Sequence, residues 1–154
     1  MPDNRVYWDA SVFHALFGME AGRVEGCKEI EKAAQEGLVQ IYTSTISFVE
    51  CVWIKGKPDK FDPAHEAILS AYFAHKYIRP ILCDRQIAES ARQLIWRHPH
   101  LKPKDAIHVA SALSQQVDVL HTYDNDDLVK LSMKVGVPPL RIENVPQPKP
   151  SPAS

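Results

Sequence analysis

The chain has 154 residues, 45% apolar and 24% charged, with a net charge of −1. That length predicts one domain with a real core, burying about 70% of its unfolded surface. The near-neutral balance excludes nucleic-acid binding by bulk positive charge, leaving only a local basic patch, and no apolar run approaches the ~20 residues of a membrane helix.

In chain order, "RVYWDAS" predicts a first strand ending near Asp9. "SVFHALF" and "EGCKEIEKAAQEG" predict helices, the second closing at Gly37 in the C′ position. "LVQIYTS" is β-branched and aromatic, the composition of a strand. "TISFVECVWIK" reads as an apolar helix stopped by Gly56 and Pro58. "DPAHEAILSAYFAHKYI" opens with Asp62 as N-cap and Pro63 at N1, and carries Ile68, Leu69, Tyr72 and Phe73 as one stripe. "PILCD" predicts a short strand. "RQIAESARQLIWRH" predicts a helix with Ile87, Ala91, Leu94 and Ile95 on one face. "KPKDAIHVASALSQQ" predicts a further helix, "VDVLHTY" a strand, "DLVKLSMKVG" a helix ending at Gly136, and "LRIEN" a last strand.

Strands alternating with one or two helices predict an α/β fold, a mostly parallel sheet covered on both faces. The folded domain is expected over residues 1–143. The segment from Asn144, "NVPQPKPSPAS", has four prolines in eleven residues and reads as a disordered tail, 144–154. "MPDNRVYWDASVF" lacks a signal-peptide pattern. Cys27, Cys51 and Cys83 are odd in number and widely spaced. Both features predict a cytoplasmic protein with free thiols.

Four acids sit beside apolar segments: Asp9, Glu50, Asp105 and Asp124. Each has a local explanation. Asp9 and Asp124 could cap the helices that follow, Glu50 could form a capping box with Ser47, and Asp105 suits a first helical turn. As a set they suggest more. Asp9 and Asp124 end strands, and in parallel sheets ligands bind beyond those ends, where strand order reverses. Glu50 lies among Phe48, Val49, Cys51, Val52 and Trp53, where an unpaired carboxylate is costly. Converging carboxylates repel one another, and a hard cation such as Mg²⁺ or Mn²⁺ removes that repulsion. A metal so held activates water toward a phosphodiester.

These stretches resemble the PIN-domain family of metal-dependent ribonucleases, and within it the VapC-like toxins of toxin–antitoxin pairs. "VYWDASVF" is similar to the family's first-strand motif, "STISFVECV" to its helix with an embedded Glu, "LKPKDAIHVASAL" to its Asp-led helix, and "HTYDNDDL" to its Thr-x-Asp-x-Asp strand end. The resemblance runs from about Val6 to Ile142. It implies a three-layer α/β/α sandwich, Mg²⁺ or Mn²⁺ as cofactor, and endonucleolytic cleavage of RNA. Asp9, Glu50, Asp105 and Asp124 would be the catalytic and metal-binding acids, Asp126 an auxiliary metal acid with Asp127 as its competitor, and Ser11 and Thr122 auxiliary hydroxyls. A small antitoxin and a homodimer are the partners it implies.

Other residues carry weaker signals. His108 reads as a packed or hydrogen-bonded helix residue, because oxygen-rich Mg²⁺ sites do not take imidazole. Lys55, Lys57 and Lys60 form one basic group. A second leads through Arg97, Lys102 and Lys104 into Asp105 and could contact RNA phosphates. Trp8 points away from Asp9 by strand alternation and is expected in the core. Phe13, Leu16, Phe17, Tyr72 and Phe73 read as core with a partner surface near them. Two other classes compete. A binding-only module of the same fold would lack one of the four acids. A phosphoacceptor receiver domain, with Asp84 as acceptor, would carry paired acids directly after its first strand.

Overall fold

The computed structural model describes residues 3–54 and 62–149. Lys55, Lys57 and Lys60 lie outside them. The elements follow in the order β1 (Arg5–Trp8), α1 (Ala10–Phe17), α2 (Val24–Gln35), β2 (Gln40–Ser44), α3 (Ile46–Glu50), α4 (Pro63–Phe73), β3 (Ile78–Ile81), α5 (Arg85–Arg97), α6 (Pro103–Ser114), β4 (Val119–His121), a 3₁₀ turn (Val129–Leu131) and β5 (Arg141–Glu143).

All five strands pair in parallel, in the order β3-β2-β1-β4-β5. The chain builds outward from β1 to β3 on one side, then crosses to β4 and β5 on the other. The reversal therefore sits beside β1, and in sheets of this kind ligands bind there, beyond the strand carboxyl ends. Side chains alternate along each strand, so the sheet feeds two cores. Val6, Trp8, Ile41 and Val119 pack with Val12, Phe13 and Leu16 of α1, Cys27 of α2 and Leu69 of α4. Tyr7, Leu120 and Ile142 pack with Ile87, Ala91 and Leu94 of α5 and Ala106, Val109 and Ala110 of α6. Two helical layers on one sheet make the three-layer α/β/α sandwich that the alternating pattern suggested. Trp8 is fully buried, edge-on to Phe13. Pro80 is accommodated within β3 because that strand is an edge.

Local caps follow the sequence. Asp62 accepts from the Ala64 amide with Pro63 opening α4. Asp84 accepts from the Ile87 amide and caps α5, a structural role for the residue that a receiver domain would phosphorylate. Gly37 takes φ 79° just beyond α2, a conformation a side chain would strain.

Three elements differ from expectation. The helix expected through "TISFVECVWIK" ends at Glu50, and Cys51 leaves helical geometry at φ −92°, ψ 85°. Its β-branched residues hold a helix weakly, and Val49 and Val52 face solvent rather than a common core. The segment "DLVKLSMKVG" forms one 3₁₀ turn and further turns instead of a helix. Leu128, Leu131 and Val135 have helical spacing and are buried, yet Met133 at φ 64° interrupts the helix between them. The third strand starts two residues earlier than "PILCD", leaving Leu82 and Cys83 exposed.

The start of the Pro-rich tail is packed. Val145 is buried, and the Asn144 side-chain amide donates to the Thr122 carbonyl at 2.8 Å and to Asn125 Oδ1 at 2.8 Å. A Cβ on Gly26 would collide with the Pro146 carbonyl. Gly26→Ala should therefore lower Tm, because a clash costing about 1–3 kcal/mol outweighs a helix-propensity gain of about 1 kcal/mol. A thermal melt of the variant decides it, and a higher Tm would show that this segment yields freely.

Candidate metal centre

Asp9 lies at the end of β1, 5% exposed. It caps α1, with Oδ1 accepting from the Ser11 and Val12 amides. The Ser11 hydroxyl donates to the same oxygen at 2.5 Å, and the Thr122 hydroxyl donates to Oδ2 at 2.5 Å. Ser11 Oγ also accepts from the Tyr123 amide, and Thr122 Oγ1 from the Asp124 amide. The two hydroxyls thus stitch the ends of β1 and β4 around one carboxylate. Burial raises the Asp9 pKa, against the opposing charge of His108 and the hydrogen bonds from Ser11, Thr122 and Val12. The local capping role is real, and its hydrogen bonds offset only part of the burial that makes Asp9 costly to ionise.

Asp105, Asp124 and Asp127 each present a carboxylate oxygen within 4.8 Å of the others. Asp105 is buried at the start of α6, and its carboxylate accepts no hydrogen bond among the described residues. Its pKa is raised by burial first and by the Asp124 charge second. Asp124 is anchored through Oδ1, which accepts from the Asp126 and Asp127 amides at 3.2 and 3.0 Å. That turn points Asp127 toward Asp105 and leaves Asp126 exposed and outside the group. The sequence register favoured Asp126. The three-residue spacing from Asp124 to Asp127, one turn of chain, was the signal that could have selected Asp127.

Glu50 is not part of that trio. Its Oε1 lies 2.7 Å from His108 Nε2, and its Oε2 3.6 Å from Lys104 Nζ. Burial pushes the Glu50 carboxyl up, but the His108 hydrogen bond and the charges of His108 and Lys104 prevail and lower it. The capping box expected with Ser47 is absent, since Ser47 Oγ pairs with Thr43 Oγ1 at 2.6 Å. His108, expected to be hydrogen-bonded, is 2% exposed and also meets Tyr7 Oη at 2.6 Å through Nδ1. The involvement of Tyr7 was invisible in the sequence. Of the basic candidates, Lys104 reaches Glu50 and Lys102 is exposed beside it. Arg97 instead lines a groove of about 930 Å³ with Ser90, Leu94, Ser114 and Val137, which none of Asp9, Glu50, Asp105, Asp124 and Asp127 borders.

The donor set fits a hard divalent cation. It consists of carboxylate oxygens, without thiols, and Asp105 has no hydrogen-bond donor among the described residues, while the charges of Lys104 and His108 offset only part of its raised pKa.

The arrangement defines a class: a three-layer α/β/α domain with acids gathered where the strand order of a parallel sheet reverses. The family model for the PIN domain matches residues 6–132, and the chain belongs to that family. Solved structures share the fold at low identity. VapBC2 from Rickettsia felis, bound to a DNA fragment from their promoter, aligns with TM-score 0.64 and 14% identity over 91% of this chain and 98% of that one. DNA-bound VapBC from Salmonella typhimurium gives 0.62 and 16% over 93% and 99%. VapC20 from Mycobacterium tuberculosis, described as a sarcin-ricin loop cleaving toxin, gives 0.56 and 18% over 79% and 91%. No curated protein matches the sequence. Among the described residues no helix is long and apolar enough to cross a membrane.

Proposed function

We propose that this protein is a Mg²⁺- or Mn²⁺-dependent endoribonuclease and the toxin of a toxin–antitoxin pair. The observation that carries the reading is the Asp105 carboxylate, which accepts no hydrogen bond among the described residues and has an oxygen within 4.8 Å of carboxylate oxygens of Asp124 and Asp127. Asp105, Asp124 and Asp127 would hold the cation, with Asp127 in the place first given to Asp126. When bound, such a cation supplies an activated water near neutral pH and draws charge from a phosphodiester. Asp9, locked by Ser11 and Thr122, would present a fixed carboxylate beside this group. Glu50 forms an adjoining wall. Lys104, more than half exposed, offers an ammonium to an RNA phosphate, and Lys102 extends the basic edge.

A partner protein belongs to this reading. Phe48, Leu69 and Phe73 line a mostly apolar cleft of about 400 Å³ between α3 and α4, and Val49, Val52 and Ile68 are exposed on the segments that carry it. Apolar surface of this kind suits a bound chain, and the similar solved structures include toxin–antitoxin complexes. A homodimer is the further assembly we propose.

The test is cleavage of a panel of structured RNAs with Mg²⁺ or Mn²⁺, with and without excess chelator, alongside Mn²⁺ binding by calorimetry. Asp127→Asn should weaken Mn²⁺ binding by about tenfold, while Asp126→Asn leaves it unchanged. A folded protein that binds no Mn²⁺ sinks the proposal. One that binds Mn²⁺ and cuts no RNA becomes a binding module.

A further inference from the structure

We infer that Tyr7 and His108 are positioning residues, a buried tether that sets the Glu50 carboxylate for the reaction proposed above, on which this inference rests. The need for a tether comes from α3. That helix has five residues and buries only Ser47, and its C-cap Cys51 turns the chain away at once. So short a helix, with one buried residue, gives a side chain at its last position little support of its own. Contacts from other elements therefore decide where Glu50 points.

The fixing chain runs through the sheet. The Ser44 amide, at the end of β2, donates to Tyr7 Oη at 2.9 Å. Tyr7 Oη meets His108 Nδ1 at 2.6 Å, and His108 Nε2 meets Glu50 Oε1 at 2.7 Å. Tyr7 is fully buried and His108 is 2% exposed, so neither can exchange these partners for water. The carboxylate end fixes one direction: a carboxylate only accepts, so Nε2–H donates to Glu50. Tyr7 Oη accepts from the Ser44 amide and pairs with Nδ1, as donor or acceptor according to the ring's proton. Four elements, β2, β1, α6 and α3, thereby converge on one carboxylate oxygen. Its other oxygen is left to Lys104, which is exposed and can turn to a substrate phosphate. Groups behind a functional carboxylate act in this way, and losing one costs about 10- to 100-fold in activity or metal affinity.

A double-mutant cycle on the full chain tests the tether, with ring ¹⁵N NMR as a readout independent of activity. Tyr7→Phe should lower kcat for RNA cleavage at least about tenfold, with KM little changed. In a Glu50→Gln background the same change should lower kcat no further, because the tether acts only through Glu50. His108 in the wild type should show a protonated Nε2 bonded to Glu50 and an Nδ1 shift that moves in Tyr7→Phe. Equal losses in both backgrounds, or an Nδ1 shift unmoved by Tyr7→Phe, would overturn the inference. If Tyr7→Phe does not fold, His108→Asn takes its place in the cycle. If the wild type cuts no RNA, the nuclease reading falls separately, and the ring shifts with their response to Tyr7→Phe decide the tether.

Discussion

An Asp124→Asn variant is expected to lose Mn²⁺ binding and about 100-fold or more of its RNA cleavage while unfolding at a temperature no lower than the wild type. The two halves of that result have one cause. Asp124 carries a local structural role through Oδ1, which accepts from the Asp126 and Asp127 amides. Asparagine keeps that oxygen, so the turn survives. What disappears is the charge. Asp105, buried and without a hydrogen-bond donor, has its pKa raised by burial and then by Asp124. Removing the Asp124 charge relieves that repulsion and should stabilise the metal-free fold by on the order of 1 kcal/mol. The same loss leaves a cation with one carboxylate fewer. Metal-derived charge stabilisation amounts to several kcal/mol of a transition state, and about 1.4 kcal/mol corresponds to a factor of ten. Calorimetric Mn²⁺ titration, an RNA cleavage assay and a thermal melt, each on both proteins, check the three parts. Lost stability with unchanged Mn²⁺ affinity would mean that Asp124 is only a turn residue.

The second large effect is acid destabilisation through His121. Its ring lies in β4 beside Trp8, 2% exposed, and neither nitrogen has a hydrogen-bond partner among the described residues. Burial lowers its pKa from 6.5 to about 4, against the attraction of Asp3 and with a smaller push from Arg141. Above pH 6.5 the imidazole is neutral in both states and adds no pH dependence. Below it the unfolded chain takes up a proton that the folded chain refuses, so stability falls until pH reaches about 4. At about 1.4 kcal/mol per pH unit the loss is about 2 kcal/mol by pH 5. Asp9 and Asp105 act in the opposite sense. Their raised pKa values mean that protonation stabilises the fold as pH falls through them, which offsets part of the loss at the acid end. Urea denaturation at pH 7 and pH 5, for the wild type and His121→Phe, isolates the His121 share. The variant should lose about 2 kcal/mol less than the wild type over that interval. Equal losses would place the acid sensitivity elsewhere.

Strand alternation, helix caps and the parallel α/β class were legible in the sequence because they are short-range or periodic properties. A buried parallel strand shows as a β-branched run such as "LVQIYTS", and Asp62-Pro63 or Gly37 mark helix ends by local stereochemistry. The placement of Asp9 and Asp124 at one end of the sheet was legible too, since strand-end acids in a doubly covered parallel sheet meet where strand order reverses. Helix lengths were less legible. In "DLVKLSMKVG" the apolar spacing suits a helix, and the backbone of Met133 overrides it.

The sequence by itself determined which residue types were available: acids at strand ends, a Glu in an apolar stretch, a His one turn after Asp105. Only the tertiary structure decided how they combine. It brought Asp127, and not Asp126, beside Asp105 and Asp124, because a turn anchored on Asp124 swings one inward and the other out. It gave Glu50 to His108 and Lys104 rather than to the acid trio, and it placed Tyr7 behind His108 across a separation of 101 residues. Such pairings depend on side-chain direction and on which buried donors remain unsatisfied once strands and helices have docked. Those quantities exist only after the chain has packed.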